Sequence, residues 1–266
     1  MKLSFTILML VPLVVLFGCG WDRSSESFPG LFGKELPSYK VSLKRSLDLG
    51  SVEPNDIAFN GSNLYLLSGS KLWMVNSDLT EFSTQCTLPS LKSNLHWGIA
   101  WDGTGFWIMV GDGTKGYGAH KVDSSCNVLS TLNSDGTFQN GFVWTNGSFV
   151  SAHGKSIASY GESNGQLAST IELSLPSSEN IGGGFGYDGT DYWISYKGSQ
   201  LKRVNTTGTT LLTVDLANIG KSKTFRIYGI ECISPATIWV VMNRSDNSFV
   251  LYELELSEYS TGARLF

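Results

Sequence analysis

Short runs of alternating hydrophobic and polar positions fill the chain, without helical spacing, and one run returns five times. The runs are DIAFNGSNLYLL from Asp56, GIAWDGTGFWIM from Gly98, GFVWTNGSFVSA from Gly141, GFGYDGTDYWIS from Gly184 and GIECISPATIWVV from Gly229, with starts 42, 43, 43 and 45 residues apart. Each predicts an apolar strand, a tight Asn-Gly, Asp-Gly or Ser-Pro turn, and an aromatic-rich second strand. A third strand follows in KLWMVNSD, AHKVDSS, SIASYGES, QLKRVNTTG and FVLYELEL. A fourth follows in TEFSTQCTLPS, CNVLSTLNS, GQLASTIELSLPS and TTLLTVDLANIG, but the fifth unit runs instead into SEYSTGARLF, which does not match them.

Four short antiparallel strands repeated about every 43 residues predict an all-β fold, a β-propeller of five blades. A sheet this apolar on both faces needs a neighbour on each side, and radial packing supplies both. The missing fourth strand of the last unit has a match upstream, in YKVSLKRSLDLGS over residues 39–51. The N-terminal strand is therefore expected to complete the last blade and close the ring, with a propeller domain over 38–266. A six-bladed ring, with a degenerate blade built from both ends, is the alternative.

Before the repeats, MKLSFTILMLVPLVVLFGCG carries one cation, Lys2, ahead of an apolar run too short to span a bilayer. It predicts a secretory leader over 1–18. Leu16-Phe17-Gly18-Cys19 resembles a bacterial lipobox, which implies cleavage before Cys19 and acylation of that cysteine, a stable membrane anchor. Gly20 rather than aspartate follows the cysteine, so an outer-membrane or surface destination is expected. Residues 19–37, rich in Gly, Ser and Pro, would be the lipidated tether. The repeats themselves resemble small bacterial propeller lipoproteins and, more loosely, propellers with a W-D-G-x-x-L/F-W hairpin, some of which are lactonase-like or glutaminyl-cyclase-like enzymes. That motif builds blades and does not assign an activity.

Composition removes one partner class. The formal charge is -4 and the pI about 5.4, so nothing favours a phosphate backbone and nucleic acid is not expected. The membrane, through the lipid, and a protein, glycan or small molecule remain as partners.

Catalytic constellations are sparse. At the repeat starts only Asp56 could coordinate a cation, the others being Gly98, Gly141, Gly184 and Gly229, and a hard divalent ion needs several oxygens. Glu231 is the one further carboxylate expected to face inward, and a two-carboxylate mechanism needs a second at a defined separation. Neither a catalytic set nor a metal or cofactor is expected, so the fold reads as a binding propeller more readily than as an enzyme. Ligand candidates come from the turns entering each innermost strand, Asn55, His96, Trp97, Asn140 and Tyr228, and from the second set of turns, Lys115, Tyr117 and Lys197, with Glu231 inside. Trp101 and Trp107 are expected to pack between blades, and Asp102 to be a turn residue equivalent to Asn60 and Asp188. Beyond Cys19 the chain has Cys86, Cys126 and Cys232, in different expected strands, so free buried thiols are expected.

Overall fold

The computed structural model describes residues 38–89, 95–111, 118–133, 141–161, 165–175, 181–217, 219, 226–244 and 246–259. The leader, Cys19, the tether, Lys115, Tyr117 and Asn140 lie outside them.

The first described strand, β1 (Ser38–Gly50), precedes the repeats. Blade 1 is β2 (Asp56–Phe59), β3 (Leu64–Ser68), β4 (Lys71–Val75) and β5 (Phe82–Thr87). Blade 2 is β6 (Leu95–Trp101), β7 (Phe106–Gly111), β8 (Gly118–Val122) and β9 (Val128–Asn133). Blade 3 is β10 (Phe142–Thr145), β11 (Ser148–His153), β12 (Ser156–Gly161) and β13 (Leu167–Glu172). Blade 4 is β14 (Ile181–Tyr187), β15 (Tyr192–Tyr196), β16 (Gln200–Val204) and β17 (Thr210–Asp215). Blade 5 is β18 (Ile227–Ser234), β19 (Thr237–Asn243) and β20 (Phe249–Tyr259), with β1 as its outer strand. The pairing of β1 with β20 runs from Ser38 opposite Tyr259 to Gly50 opposite Phe249. The chain is thus a five-bladed propeller whose ring is closed by its N-terminal strand, and the six-bladed alternative falls.

Strand alternation explains why the second strand of each repeat carries apolar residues on both faces. In β3, Leu64 and Leu66 face the gap toward blade 5, while Tyr65 and Leu67 face the gap toward blade 2. Five hydrophobic clusters result, one in each gap around the ring. The expected role of Trp107 holds: it sits edge-on to Phe149 of blade 3, ring centroids 4.9 Å apart.

The repeat-start glycines are required by crowding at the axis. A Cβ on Gly98 would lie 2.7 Å from the Phe142 ring, one on Gly184 2.7 Å from Ile230 Cγ1, and one on Gly229 3.0 Å from the Ile57 nitrogen. Such contacts between neighbouring innermost strands leave no room for side chains, so the single Asp56 occupies a niche that glycines make for it.

The thiol expectation is corrected. Cys86 in β5 and Cys126 in the turn between β8 and β9 form a disulfide, with Cα atoms 5.9 Å apart. Taken along the sequence they belong to separate blades, but the β8–β9 turn of blade 2 reaches β5 of blade 1, where Gln85 Nε2 also donates to the Ser124 carbonyl at 3.2 Å. Cys232 keeps a free thiol.

Candidate functional site

Each innermost strand enters at one mouth of the channel and leaves at the other, so residues just before a repeat start and those just after it fall at opposite ends. At the first mouth Asn55, His96 and Trp97 come together, as expected, with Ser51, Glu53, Ser68 and Gly69, around a cavity of about 470 Å³. The Asn55 Oδ1 accepts the Gly69 N–H at 3.1 Å, which ties the end of β3 to the segment entering β2. His96 and Trp97 are neighbours in β6, where alternation turns one side chain in and the other out. His96 is 3% exposed and Trp97 42%. A register shift between His96 and Gly98 sits at this place.

Neither ring nitrogen of His96 makes a hydrogen bond of good geometry among the described residues, although the ring lies near the Gly69 backbone. Burial lowers its pKa, against the Gly69 backbone, which favours the charged form; His120 adds to the lowering. The ring is therefore neutral near pH 7 and offers one N–H and one lone pair to whatever fills the cavity.

The other two described candidates of this face stand apart from it. Tyr228 packs edge-on against Phe249, centroids 5.2 Å apart, with Arg226 over its ring, so it belongs to the gap between blades 5 and 1. Lys197 is in a left-handed turn conformation, φ 45°, with its ammonium 5.4 Å from the Tyr196 ring, and does not line the cavity.

Glu231, expected to face inward, lies away from this mouth. It lies two residues past its repeat start, and with Phe59, Trp101, Phe142, Trp144 and Tyr187 it lines a second cavity of about 70 Å³ at the opposite mouth. Burial pushes its pKa up to about 8, opposed in part by the Phe59 backbone. Between the mouths sits Asp56, 1% exposed, its Oδ2 accepting the Ile99 N–H at 3.1 Å while Oδ1 has no hydrogen bond of good geometry. Burial raises Asp56 well above the carboxylate range; the amides of Ile57, Ile99 and Phe142 oppose this, and the nearby Glu231 adds to it. An enzyme built on Asp56, Glu231 and His96 would need the three to converge, but His96 lines the other cavity. No cluster of three or more His, Cys, Asp or Glu side chains suited to a metal occurs among the described residues.

The lining aromatics Phe59, Trp144 and Tyr187 escaped sequence reasoning because the hairpin aromatics, Trp101 and Trp107 among them, were expected mostly to pack between blades. Trp101 packs as expected in the cluster between blades 1 and 2, against Phe106 at 4.7 Å between centroids, and it also lines this cavity. The signal was positional: Phe59, Trp101, Trp144 and Tyr187 each stand three residues after a repeat start.

No protein-family model matches the chain, and no curated protein matches it. Among solved structures it is similar to the WD40 β-propeller domain of Doa1, at 13% identity over 81% of this chain and 97% of that one, with a TM-score of 0.46. A protein of unknown function from Bacteroides caccae is similar at 13% identity over 73% of this chain and 72% of that one, TM-score 0.47. A chain of the mitotic checkpoint complex is similar at 10% identity over 86% and 99%, TM-score 0.45. By its own strand order and ring closure, the chain is a five-bladed β-propeller.

Proposed function

We propose that the protein is a lipid-anchored binding propeller of the bacterial cell envelope, tethered through Cys19 and taking its ligand at the mouth lined by Asn55, His96 and Trp97. The observation that carries the binding half is the exposed Trp97 beside a buried His96, whose ring makes no hydrogen bond of good geometry among the described residues, on a cavity of about 470 Å³. An exposed indole supplies a flat apolar platform, and convergent polar groups beside it fix orientation. The leader and Leu16-Phe17-Gly18-Cys19 support the anchoring half.

Two measurements test the halves separately. Cys19→Ala is expected to abolish lipid labelling and leave unprocessed precursor; unchanged membrane association in that variant refutes the anchor. A glycan, peptide and metabolite screen is expected to yield a ligand whose binding falls at least tenfold in Trp97→Ala, an indole platform being worth at least that much. Ligands that bind Trp97→Ala and the unaltered chain equally refute this mouth as the site.

A further inference from the structure

The mouth opposite Trp97 carries its own chemistry. Phe59, Trp101, Trp144 and Tyr187 come from four successive innermost strands, and with Phe142 they surround Glu231 from the fifth. At the position of Glu231 the other repeats have Ala58, Ala100, Val143 and Gly186, so a single carboxyl enters a ring of small residues and aromatic rims. Glu231 forms no ion pair among the described residues, although acids elsewhere on this chain, Asp102, Asp188 and Glu253, each have a cation.

We propose that this cavity binds an organic ammonium head, with Glu231 supplying the negative charge and Phe59, Trp101, Trp144 and Tyr187 the aromatic surfaces. A hard metal ion would need several converging oxygens, and one carboxyl among rings does not provide them. An anion would meet Glu231, and a neutral apolar head would leave that carboxyl desolvated without recompense. A weakly hydrated ammonium suits both the rings and the acid. The cavity is small, about 70 Å³, and open at the mouth, so only the head of a ligand would enter and the remainder would stay outside the ring.

The site also predicts a proton linkage. The titratable groups around Glu231 are Asp56 of β2, Cys232 beside it in β18 and the Tyr187 hydroxyl of β14, which donates to the Gly189 carbonyl at 3.0 Å. None of these supplies a cation. With its pKa near 8, Glu231 is mostly protonated at pH 7 until an ammonium displaces that proton. Binding is therefore accompanied by proton release at pH 7, and affinity rises with pH through about 8.

Calorimetry on the detergent-solubilised full chain tests this with choline and its uncharged carbon analogue 3,3-dimethyl-1-butanol. Choline is expected to bind at least about tenfold more tightly than the analogue and to release protons at pH 7. Glu231→Gln mimics the protonated acid, so it should melt like the unaltered chain while losing the preference for choline. Trp144→Leu should weaken choline about tenfold. Trp97→Ala, at the other mouth, should leave choline binding unchanged, which separates this site from the one proposed above. Equal affinity for the two probes, no saturable choline binding at millimolar concentration, full choline affinity in Glu231→Gln, or loss of it in Trp97→Ala would each overturn the proposal.

Discussion

In blade 4 the Trp193 indole N–H donates to Asp188 Oδ2 at 2.9 Å, and the same oxygen meets Arg203 of the third strand at 2.8 Å. Blade 2 repeats this with Trp107, Asp102 and Lys121, at 2.7 and 2.6 Å. In blade 5 the matching tryptophan, Trp239, follows a Ser-Pro turn with no aspartate, and its N–H has no partner among the described residues. The residue opposite it across the ladder is Glu253 rather than a cation. Glu253 is paired outward instead, with Arg45 Nε at 2.6 Å and Lys44 at 3.5 Å, both from the closing strand β1. Blades 2 and 4 thus spend their buried acid on their own hairpin, and blade 5 spends it on a strand from the far end of the sequence. A blade made of one continuous segment has its strand order set by short turns. A blade assembled from both ends needs a contact that specifies which strand completes it, and Arg45 opposite Glu253 in the β1–β20 register provides one.

The largest effect should come from removing the closing strand. Deleting residues 1–50 exposes the edge of β20 and strips Leu47 and Leu49 from the cluster between blades 5 and 1. The expected outcome is loss of the cooperative thermal transition and association through the open edge, seen by circular dichroism and gel filtration. A truncated monomer that melts like the full chain would show that ring closure is not what holds blade 5.

Next in size is the staple between blades 1 and 2. Replacing Cys86 and Cys126 together with serine should cost about 2–4 kcal/mol, in keeping with a cross-link across 40 residues of chain. The same loss should appear on reduction of the unaltered protein, and no loss in either experiment would contradict the bond.

Breaking the closing ion pair comes third. Arg45→Ala leaves the Glu253 side chain, 4% exposed, without its guanidinium. Because Arg45 itself is 38% exposed, the cost should fall below that of a fully buried pair, about 1–3 kcal/mol. Replacing both residues with methionine should recover most of it, because the pair specifies the strand more than it stabilises the blade. A double variant as unstable as Arg45→Ala would refute that division.

Acid should act on the hairpin ties more than on the closing blade. Burial alone would raise Asp102, but Lys121, the Thr104 amide and hydroxyl and the Trp107 N–H hold its pKa down to about 2. Its unfolded-state value is near 3.8, so its contribution is complete above that pH and is lost as pH falls toward 2. Asp102→Asn should flatten this part of the stability profile in denaturant titrations. Glu231 has the opposite sign: its raised pKa makes stability fall as pH rises from about 4.5 to about 8, and Glu231→Gln should remove that slope.

The blades were legible in the sequence because turn chemistry and aromatic spacing recur at a fixed period, and the closing strand because one unit lacked a piece that its upstream segment matched. The grouping of Asn55, His96 and Trp97 was legible for the same reason, all three preceding repeat starts. What escaped was lateral. The disulfide depends on the β8–β9 turn of blade 2 reaching the outer strand of blade 1, and the ties of Asp102 and Asp188 depend on ladder register, Trp107 opposite Lys121 and Trp193 opposite Arg203. Asp102 is accordingly more than the turn residue expected, since Asn60 shares its turn bonds to the next backbone amides but has no third-strand cation. Glu231 was read only as facing inward, and which mouth it lines follows from how far along the strand it lies, two residues past its repeat start.

The finest test concerns a single N–H. Trp107, Trp193 and Trp239 occupy equivalent places and are all buried, yet only the first two donate to an aspartate. Phenylalanine keeps most of the ring and removes the donor. In Trp193→Phe the Asp188 carboxylate loses a partner while remaining buried against Arg203, so destabilisation should reach about 1–3 kcal/mol, partly from lost ring volume. Trp107→Phe should cost somewhat less, because Asp102, besides its own cation, accepts the Thr104 hydroxyl. In Trp239→Phe the desolvated, unpaired donor disappears together with the smaller volume loss, so the two effects oppose each other. The net change should be under about 1 kcal/mol and the smallest of the three. Equal losses at all three sites in chemical denaturation would mean that ring volume alone matters, and that the hairpin aspartates do not distinguish blades 2 and 4 from blade 5.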